Sequence, residues 1–347
     1  MTKLSEQVEK SVNTYKDKKR ATFDPPKGDF KKVVSTGSTL LDLAISGGVI
    51  RGGGIPGGVI VELFGPPSIG KTSMLCEIAG AVQRQGGQTQ FYDPEARLSR
   101  TFAQMFGVEL NEDEVLHPNT PTEVFEGIQK WKPKNSNKIN GIFVDSSAAL
   151  ASDLEMENKK DEYSRRAKLF SQGLRVNARY VWSNNYLLVF SNQIRDKMDA
   201  GFGERTDTPG GHAIKFYASL RLKVTRQRTF KLKREIKYQN KIEEQVFGIG
   251  VDVEIYKSSI WKPYNTAPVY IDFSYGIDDI RANLEYVKKW TGNTVYYVGQ
   301  IKLSNSMEEA IALVEEKELE NTLKNQTIDI WEDIQAQFNV KRKQKKR

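Results

Sequence analysis

Leu4, Val8, Val12 and Tyr15 recur at spacings of four, four and three, which predicts a short helix with one apolar stripe. Asp24-Pro25-Pro26-Lys27-Gly28 then breaks the chain as a linker does. A helix so detached has nothing of its own on which to bury the stripe. Periodicity leaves two outcomes open: folding back onto this chain, or docking on another copy. From about residue 35 to 225 short apolar runs alternate with helical patterns. Val59 to Phe64, Thr89 to Tyr92, Ile139 to Val144 and Tyr186 to Phe190 read as strands. Thr72 to Arg84 reads as a helix with Leu75, Ile78, Ala79 and Val82 on one face, and Leu98 to Phe106 as another. Leu220, Leu222 and Val224 alternate as in a half-exposed strand; Val251, Val253 and Ile255 do the same and predict an antiparallel one. This order predicts an α/β fold with a mainly parallel, twisted sheet covered on both faces. From about residue 278 the pattern changes to short helices with a Tyr296-Tyr297-Val298 strand, which predicts a small C-terminal α+β domain.

The length of 347 residues is enough for about two domains. No apolar run approaches the ~18 residues of a membrane helix, and MTKLSEQVEK lacks the apolar stretch of a secretory leader. Cys76 is the single cysteine, which excludes an intrachain disulfide and fits a reducing compartment. With only His117 and His212 beside it, Cys/His zinc sites and serine–histidine hydrolysis have too few participants. The net charge of +8 comes from 52 basic and 44 acidic residues. Its distribution matters more than its size. The terminal KRKQKKR and the run Arg226, Arg228, Lys231, Lys233, Arg234, Lys237 and Lys241 concentrate positive charge. Each cluster fits a polyanionic partner and, equally, a solvated tail or hairpin.

Gly65-Pro66-Pro67-Ser68-Ile69-Gly70-Lys71-Thr72, followed by Ser73, fits the phosphate-loop pattern between a predicted strand and a predicted helix. Glycines let backbone N–H groups turn toward phosphate oxygens, and the helix start adds partial positive charge. Lys71 would reach the β- and γ-phosphates of ATP, and the Thr72 hydroxyl would bind Mg²⁺. Gly52-Gly53-Gly54-Ile55-Pro56-Gly57 fits a dinucleotide-binding pattern but precedes a strand and carries Pro56, so it reads as a loop. In an open parallel sheet ligands sit at the carboxyl ends of the strands. Asp145 closes one strand and is the candidate second metal ligand. Glu95, beyond Tyr92, is a candidate general base for the attacking water. Gln193, beyond Phe190, is a candidate sensor of the γ-phosphate.

At this point the chain resembles the RecA recombinase family. The resemblance runs through Ser35-Thr36-Gly37-Ser38, the phosphate loop, Tyr92-Asp93-Pro94-Glu95-Ala96-Arg97-Leu98 and Val144-Asp145-Ser146-Ser147-Ala148-Ala149-Leu150. It is densest in Ser191-Asn192-Gln193-Ile194-Arg195 and in Gly210 through Arg221, and covers roughly residues 35 to 275. It implies a RecA-like P-loop ATPase core over 35–277, an N-terminal helix and linker for protomer packing over 1–34, and a C-terminal domain with a basic tail over 278–347. Glu95 would be the base in hydrolysis, Lys71 and Gln193 its partners, Phe102 the aromatic on adenine, and Tyr275-Gly276 a nucleotide contact. Lys215, Phe216 and Lys257 would couple one protomer to the next. Glu155 to Arg166 and Asp196 to Pro209 would be DNA loops. Arg165, Arg166, Ser171, Arg175, Arg195, Met198, Phe202, Gly210, Gly211 and His212 would touch DNA, with Lys159, Lys160 and Lys168 adding phosphate contacts. Residues 195–212 support this independently: they form a long glycine-rich polar run with Met198 and Phe202 as isolated apolar residues able to wedge between bases.

The chain also departs from the pattern. Ser259 replaces the second of two lysines that reach a neighbour's ATP, with Lys262 nearby as a substitute. His212 replaces an asparagine, Ser99 replaces an acidic residue near adenine, and the tail is basic where the bacterial protein is acidic. The expected activity is ATP-dependent pairing and strand exchange by a helical homo-oligomer on single-stranded DNA, with double-stranded DNA as second substrate. ATP and Mg²⁺ would be its ligands. Loading, mediator and single-strand-binding proteins would be its partners, no membrane would be involved, and the cytoplasm of a bacterium or an infected host would be its compartment. A helicase-like motor and a DNA-binding mediator that hydrolyses poorly are the competing readings. The Gly210–Arg221 block argues against the first, and Ser259 keeps the second in play.

Overall fold

The computed structural model describes residues 32–111, 114–151, 162–196, 206–207, 212–239 and 241–338. The expected N-terminal helix, most of both expected DNA loops and the basic tail lie outside these residues.

In chain order the elements are β1 (Val33–Val34), α1 (Thr39–Ser46), β2 (Ile55–Pro56), β3 (Val59–Gly65), α2 (Lys71–Arg84), β4 (Thr89–Tyr92), α3 (Arg100–Met105), β5 (Val115–Leu116), α4 (Pro121–Lys130) and β6 (Asn140–Val144). They continue with α5 (Glu162–Ser183), β7 (Tyr186–Gln193), β8 (Arg195–Asp196), β9 (Thr206–Asp207), α6 (His212–Tyr217), β10 (Leu220–Tyr238), β11 (Lys241–Ser258), β12 (Thr266–Asp272) and β13 (Gly276–Ile277). The C-terminal part holds α7 (Asp279–Thr291), β14 (Tyr297–Val298), β15 (Ile301–Lys302), α8 (Met307–Glu316) and α9 (Glu320–Gln337). No described helix is long and apolar enough to cross a membrane.

Nine strands form the main sheet in the order β13-β12-β11-β10-β3-β7-β6-β4-β5. From β10 to β5 the pairings are parallel; from β10 to β13 they are antiparallel. The fold class read from the sequence is therefore observed. Continuous apolar runs reflect burial on both faces. In β3, Val61 and Leu63 join the core on one face while Ile60 joins the core on the other. Leu187 and Val189 against Leu188 and Phe190 repeat the division in β7. Glu62 is the exception: it lies in this apolar strand and is 0% exposed.

β10 begins differently from its expected half-exposed form. Leu220, Arg221 and Leu222 are all buried, because β10 starts against β3 before its hairpin leaves the sheet. A register shift between Arg226 and Lys231 marks the exit. Beyond it the β10–β11 ribbon carries Lys231, Lys233, Arg234, Lys237 and Lys241 exposed, so that basic cluster sits on a solvated hairpin.

The Ser35–Ser38 block has a structural use. Ser35 Oγ donates to Asp42 at 2.5 Å, and Thr36 donates through N and Oγ1 at 2.8 Å each. Ser38 Oγ accepts from Leu41 N and starts α1. Asp42 is thereby held inside the core. Burial pushes its carboxyl up to about 6, while these hydrogen bonds oppose the rise.

The C-terminal helices close onto α1. Thr39 donates through N and Oγ1 to the Asp279 carboxylate at 2.7 Å each. Arg51 pairs with Asp329 and Glu332, and Trp261 lies 5.5 Å from Trp331. Tyr297–Val298 is a strand as expected, while α9 is longer than the short helices expected there.

The Gly52–Gly57 stretch is a loop with β2 at its end, as expected. Gly53 has φ +67°, and a Cβ there would lie 1.9 Å from the Asp42 carbonyl oxygen. At Gly52, φ is +83° but the nearest atom to such a Cβ is 3.7 Å away. Gly52→Ala should therefore cost only the left-handed backbone penalty, about 1–2 kcal/mol. Gly53→Ala adds a backbone clash and should cost about 4 kcal/mol. Urea denaturation of the two variants checks the ranking, and equal losses would contradict it.

Candidate active site

The loop between β3 and α2 meets the physical needs of a phosphate site. Gly70 turns the chain with φ +83°, and a Cβ there would lie 2.3 Å from Ile271 Cδ1. No side chain caps the start of the 14-residue α2, so its first N–H groups and its positive end are left for an anion. Pro67 and Ser68 are exposed at the loop tip, while Ile69 is buried and anchors it. Ser68 takes a left-handed φ of 55°, a strained conformation for a residue with a side chain. Ser73 follows Thr72 on the first turn of α2 and is partly exposed.

Lys71 is 8% exposed. Its Nζ donates to the carbonyls of Gly65 at 3.2 Å and Pro66 at 2.6 Å. Burial pushes the ammonium down to about 8, against the attraction of Asp145 and Glu95. A buried cation that satisfies itself on loop carbonyls is poised to exchange them for phosphate oxygens.

Thr72 Oγ1 donates to Asp145 Oδ2 at 2.7 Å. Asp145 Oδ1 accepts from Ser146 N at 3.0 Å and from Ser191 Oγ. Ser147 Oγ donates to the Ser191 carbonyl at 2.9 Å, which ties the segment after β6 to β7. The hydroxyl and carboxylate oxygens are hard donors set side by side. They fit an Mg²⁺ that brings its remaining ligands as water and phosphate. Among the described residues no group of three or more His, Cys, Asp or Glu forms a dedicated metal cage. The bracing residues, Ser146 through its backbone N–H and Ser191 through its hydroxyl, were not assigned roles from sequence; the only side-chain signal is the Ser191 hydroxyl on the strand beside that of Asp145.

Glu95 lies on the turn after β4. It is partly exposed, 3.4 Å from Arg97, and near enough to Lys71 to act on its titration. Gln193 is the last residue of β7, opposite Gly65 in the parallel ladder. Phe102, on α3, packs 5.1 Å from Phe106. Gly276 approaches the same Phe106 ring, so Phe102, expected on adenine, and Gly276, expected as a nucleotide contact, share one neighbour, while Tyr275 is exposed. Ser99, which departs from the family pattern, caps α3 by accepting from Phe102 N at 3.1 Å.

The expected coupling residues form a second group. Phe216 is 76% exposed on α6. Lys257 Nζ donates to the carbonyls of Lys215 and Phe216 at 2.9 Å each. Ser259 Oγ donates to the Ser219 carbonyl at 3.1 Å, and Lys262 Nζ stands 5.3 Å from the Trp261 ring centre.

Among the expected DNA contacts, Lys168, Ser171 and Arg175 share an exposed face of α5. Arg166 behaves otherwise: it is buried and donates to the carbonyls of Ala148 at 3.2 Å and Leu150 at 3.5 Å. In this structure it braces the segment beyond Asp145. Arg195 is in β8 and His212 begins α6. Arg165 lies on α5. Lys159, Lys160, Met198, Phe202, Gly210 and Gly211 lie outside the described residues.

The RecA N-terminal domain family matches residues 24–278. Protein RecA of a Thermus thermophilus strain is 33% identical over 305 residues, which is 86% of this chain and 85% of the relative. Protein RecA of Delftia acidovorans is 36% identical over 248 residues, 71% of this chain and 63% of the relative. Protein RecA of Acholeplasma laidlawii is 31% identical over 304 residues, 84% and 85% respectively.

The Lys71 titration gives a proton linkage with a definite sign. Its amine is pushed down to about 8 here, and a polyphosphate beside it would raise it again. Nucleotide binding should therefore take up a proton above about pH 8, and affinity should fall as pH rises through that range. Calorimetry in buffers of different ionisation enthalpy reads the uptake directly. Lys71→Arg, which stays charged throughout, should abolish it.

Proposed function

Because the chain belongs to the RecA family, we propose that it is an ATP-dependent DNA recombinase that assembles on single-stranded DNA and exchanges strands with homologous duplex. The observation that carries this reading is the convergence of Lys71, Thr72, Asp145 and Glu95 at the carboxyl ends of β3, β4 and β6. RecA-family proteins are DNA-dependent ATPases, and this group has the residue types that such chemistry requires.

Each residue has a separable task. The α2 start and Lys71 would hold the phosphates, and Lys71 would give up its bonds to Gly65 and Pro66 to do so. Thr72 and Asp145 would hold the metal, with Ser146 and Ser191 fixing the carboxylate. Mg²⁺, when bound with the nucleotide, supplies charge neutralisation at the phosphate oxygens. Glu95 would orient the attacking water and take its proton, a role that its partial exposure allows. Gln193 would contact the terminal phosphate and set the segment that follows it.

Phe216 supports the assembly part of the proposal, since a large exposed aromatic on a six-residue helix fits burial against another copy. The face of α5 carrying Lys168, Ser171 and Arg175, together with the loop that begins at Asp196, would hold the DNA backbone. ATP and DNA would then favour the same assembled state, and each would strengthen binding of the other. Loading and single-strand-binding proteins are the partners that this role implies. A second reading, a DNA-binding mediator that hydrolyses slowly, is favoured by Ser259, whose short side chain is held on the Ser219 carbonyl.

ATP turnover with and without single-stranded DNA separates the two. A recombinase should show strong stimulation by DNA, and Glu95→Gln should lower the stimulated rate at least about 100-fold. The variant should still form ATP-dependent filaments, visible by electron microscopy. ATP-dependent DNA binding with negligible turnover in both proteins would establish the mediator instead.

A further inference from the structure

Glu62 is a carboxylate at the centre of the sheet, on an otherwise apolar strand, and it is 0% exposed. Its Oε2 accepts from Arg221 Nε at 2.6 Å, and its Oε1 accepts from Asn192 Nδ2 at 3.1 Å. The Arg221 guanidinium lies 4.4 Å from the ring centre of Phe64 and 5.1 Å from that of Tyr256. Those two rings meet edge to face at 5.5 Å. The pair thus joins four neighbouring strands, β11, β10, β3 and β7, through one buried charge contact.

Stability alone does not account for it. A buried ion pair loses hydration that its mutual attraction only roughly restores, and well-packed apolar residues often do as well. What the pair connects is more informative. At one end Asn192 Oδ1 accepts from the N–H of Gln193 at 3.1 Å, and Gln193 stands opposite Gly65 at the root of the phosphate loop. At the other end Arg221 is the ladder partner of Lys257. Lys257 holds the last carbonyls of α6, the helix that presents Phe216. The Lys257 ammonium is held below its ordinary value by burial first and by the charge of Arg221 second, with Glu62 opposing. Hydrogen bonds therefore join Gln193, Asn192, Glu62 and Arg221, and the series reaches Lys257, which holds the backbone of α6, through ladder pairing and the repulsion between two like charges.

We infer that the buried Glu62–Arg221 pair is a positioning element that couples the backbone at Gln193 to the Lys257-held end of α6. It rests on the recombinase reading above and adds a route through the core between the nucleotide and the surface that carries Phe216. The physical reason is stiffness. Asn192, Glu62 and Arg221 are held by directional bonds in a low-dielectric interior, so a shift at Asn192 draws Glu62 with it or stretches a buried hydrogen bond. The guanidinium, lying against both rings, follows Glu62 and carries its charge nearer to or farther from its ladder neighbour Lys257.

The test uses the full chain and a fluorescent oligothymidylate. Its affinity is measured with and without a slowly hydrolysed ATP analogue, and the ratio is the enhancement. The double variant Glu62→Gln with Arg221→Met removes both charges, keeps an acceptor for Asn192 and fills the space between the rings. It should fold, bind the analogue in the absence of DNA as the native chain does, and lose about tenfold of the enhancement. Arg221→Lys is the second variant, milder for the fold. It keeps the charge but loses the Nε bond to Glu62, and should lose about threefold. Adding Asn192→Ala to the double variant should cost less than the sum of the separate losses, as expected for members of one path. Native enhancement in either folded variant, or losses that add independently, would overturn the coupling. If the native chain itself shows no enhancement by the analogue, the recombinase reading fails and the coupling falls with it.

Discussion

The parallel register of β6, β7 and β3 governs the site. It sets Gly65 opposite Gln193 and Val144 opposite Phe190, so that the loop from Gly65, the proposed sensor Gln193 and Asp145 leave the sheet at one end. A one-residue slip of β7 would reverse every side chain on it. Leu187 and Val189 would change places with Leu188 and Phe190, which pack on the opposite face. The two-sided apolar core thus specifies the register, and the register places the polar groups. The geometry of the candidate site is a consequence of hydrophobic packing beneath it.

On that platform the charges are arranged to be available. Lys71 is buried and places its donors on nearby carbonyls, and Asp145 is fixed by the Ser191 hydroxyl and the Ser146 backbone N–H. Neither needs to be drawn in from solvent when a ligand arrives, which lowers the reorganisation cost of binding. Glu95 differs, being partly exposed and paired loosely with Arg97. On the proposed reading, that exposure would let it exchange water as a base.

Much of this was legible in the sequence because it is local. The phosphate loop is a contiguous pattern, and the boundaries of β4 match the apolar run Thr89–Tyr92 residue for residue. The start of β10 was misjudged as half-exposed because alternation does not reveal that Arg221 is charged and buried together. Its partner Glu62 is 159 positions away, and nothing in either neighbourhood announces the other. Arg166 was read as a DNA contact from its basic company, but its guanidinium is used on carbonyls in the core. Ser99 looked like a lost acidic contact, whereas it is a helix cap whose signal, a serine before a short helix, was available and unused. Long-range partners and the direction of a long side chain were the illegible parts.

Lys257 shows how such a buried arrangement bears on assembly. In a single chain its ammonium is satisfied by the Lys215 and Phe216 carbonyls, each a charge-assisted bond worth about 1.5–3 kcal/mol. On the recombinase reading it must leave them to reach a neighbour's nucleotide. A lone pair of carbonyls in the neighbour would offer no gain, but a triphosphate with its several negative oxygens would. The exchange is then favourable only when the neighbouring site is filled, and it frees the end of α6 as it occurs. With Ser259 in place of a second lysine, that exchange would rest on Lys257, with Lys262 over the Trp261 ring as its substitute partner. On that reading assembly and nucleotide occupancy would be tied through these cations.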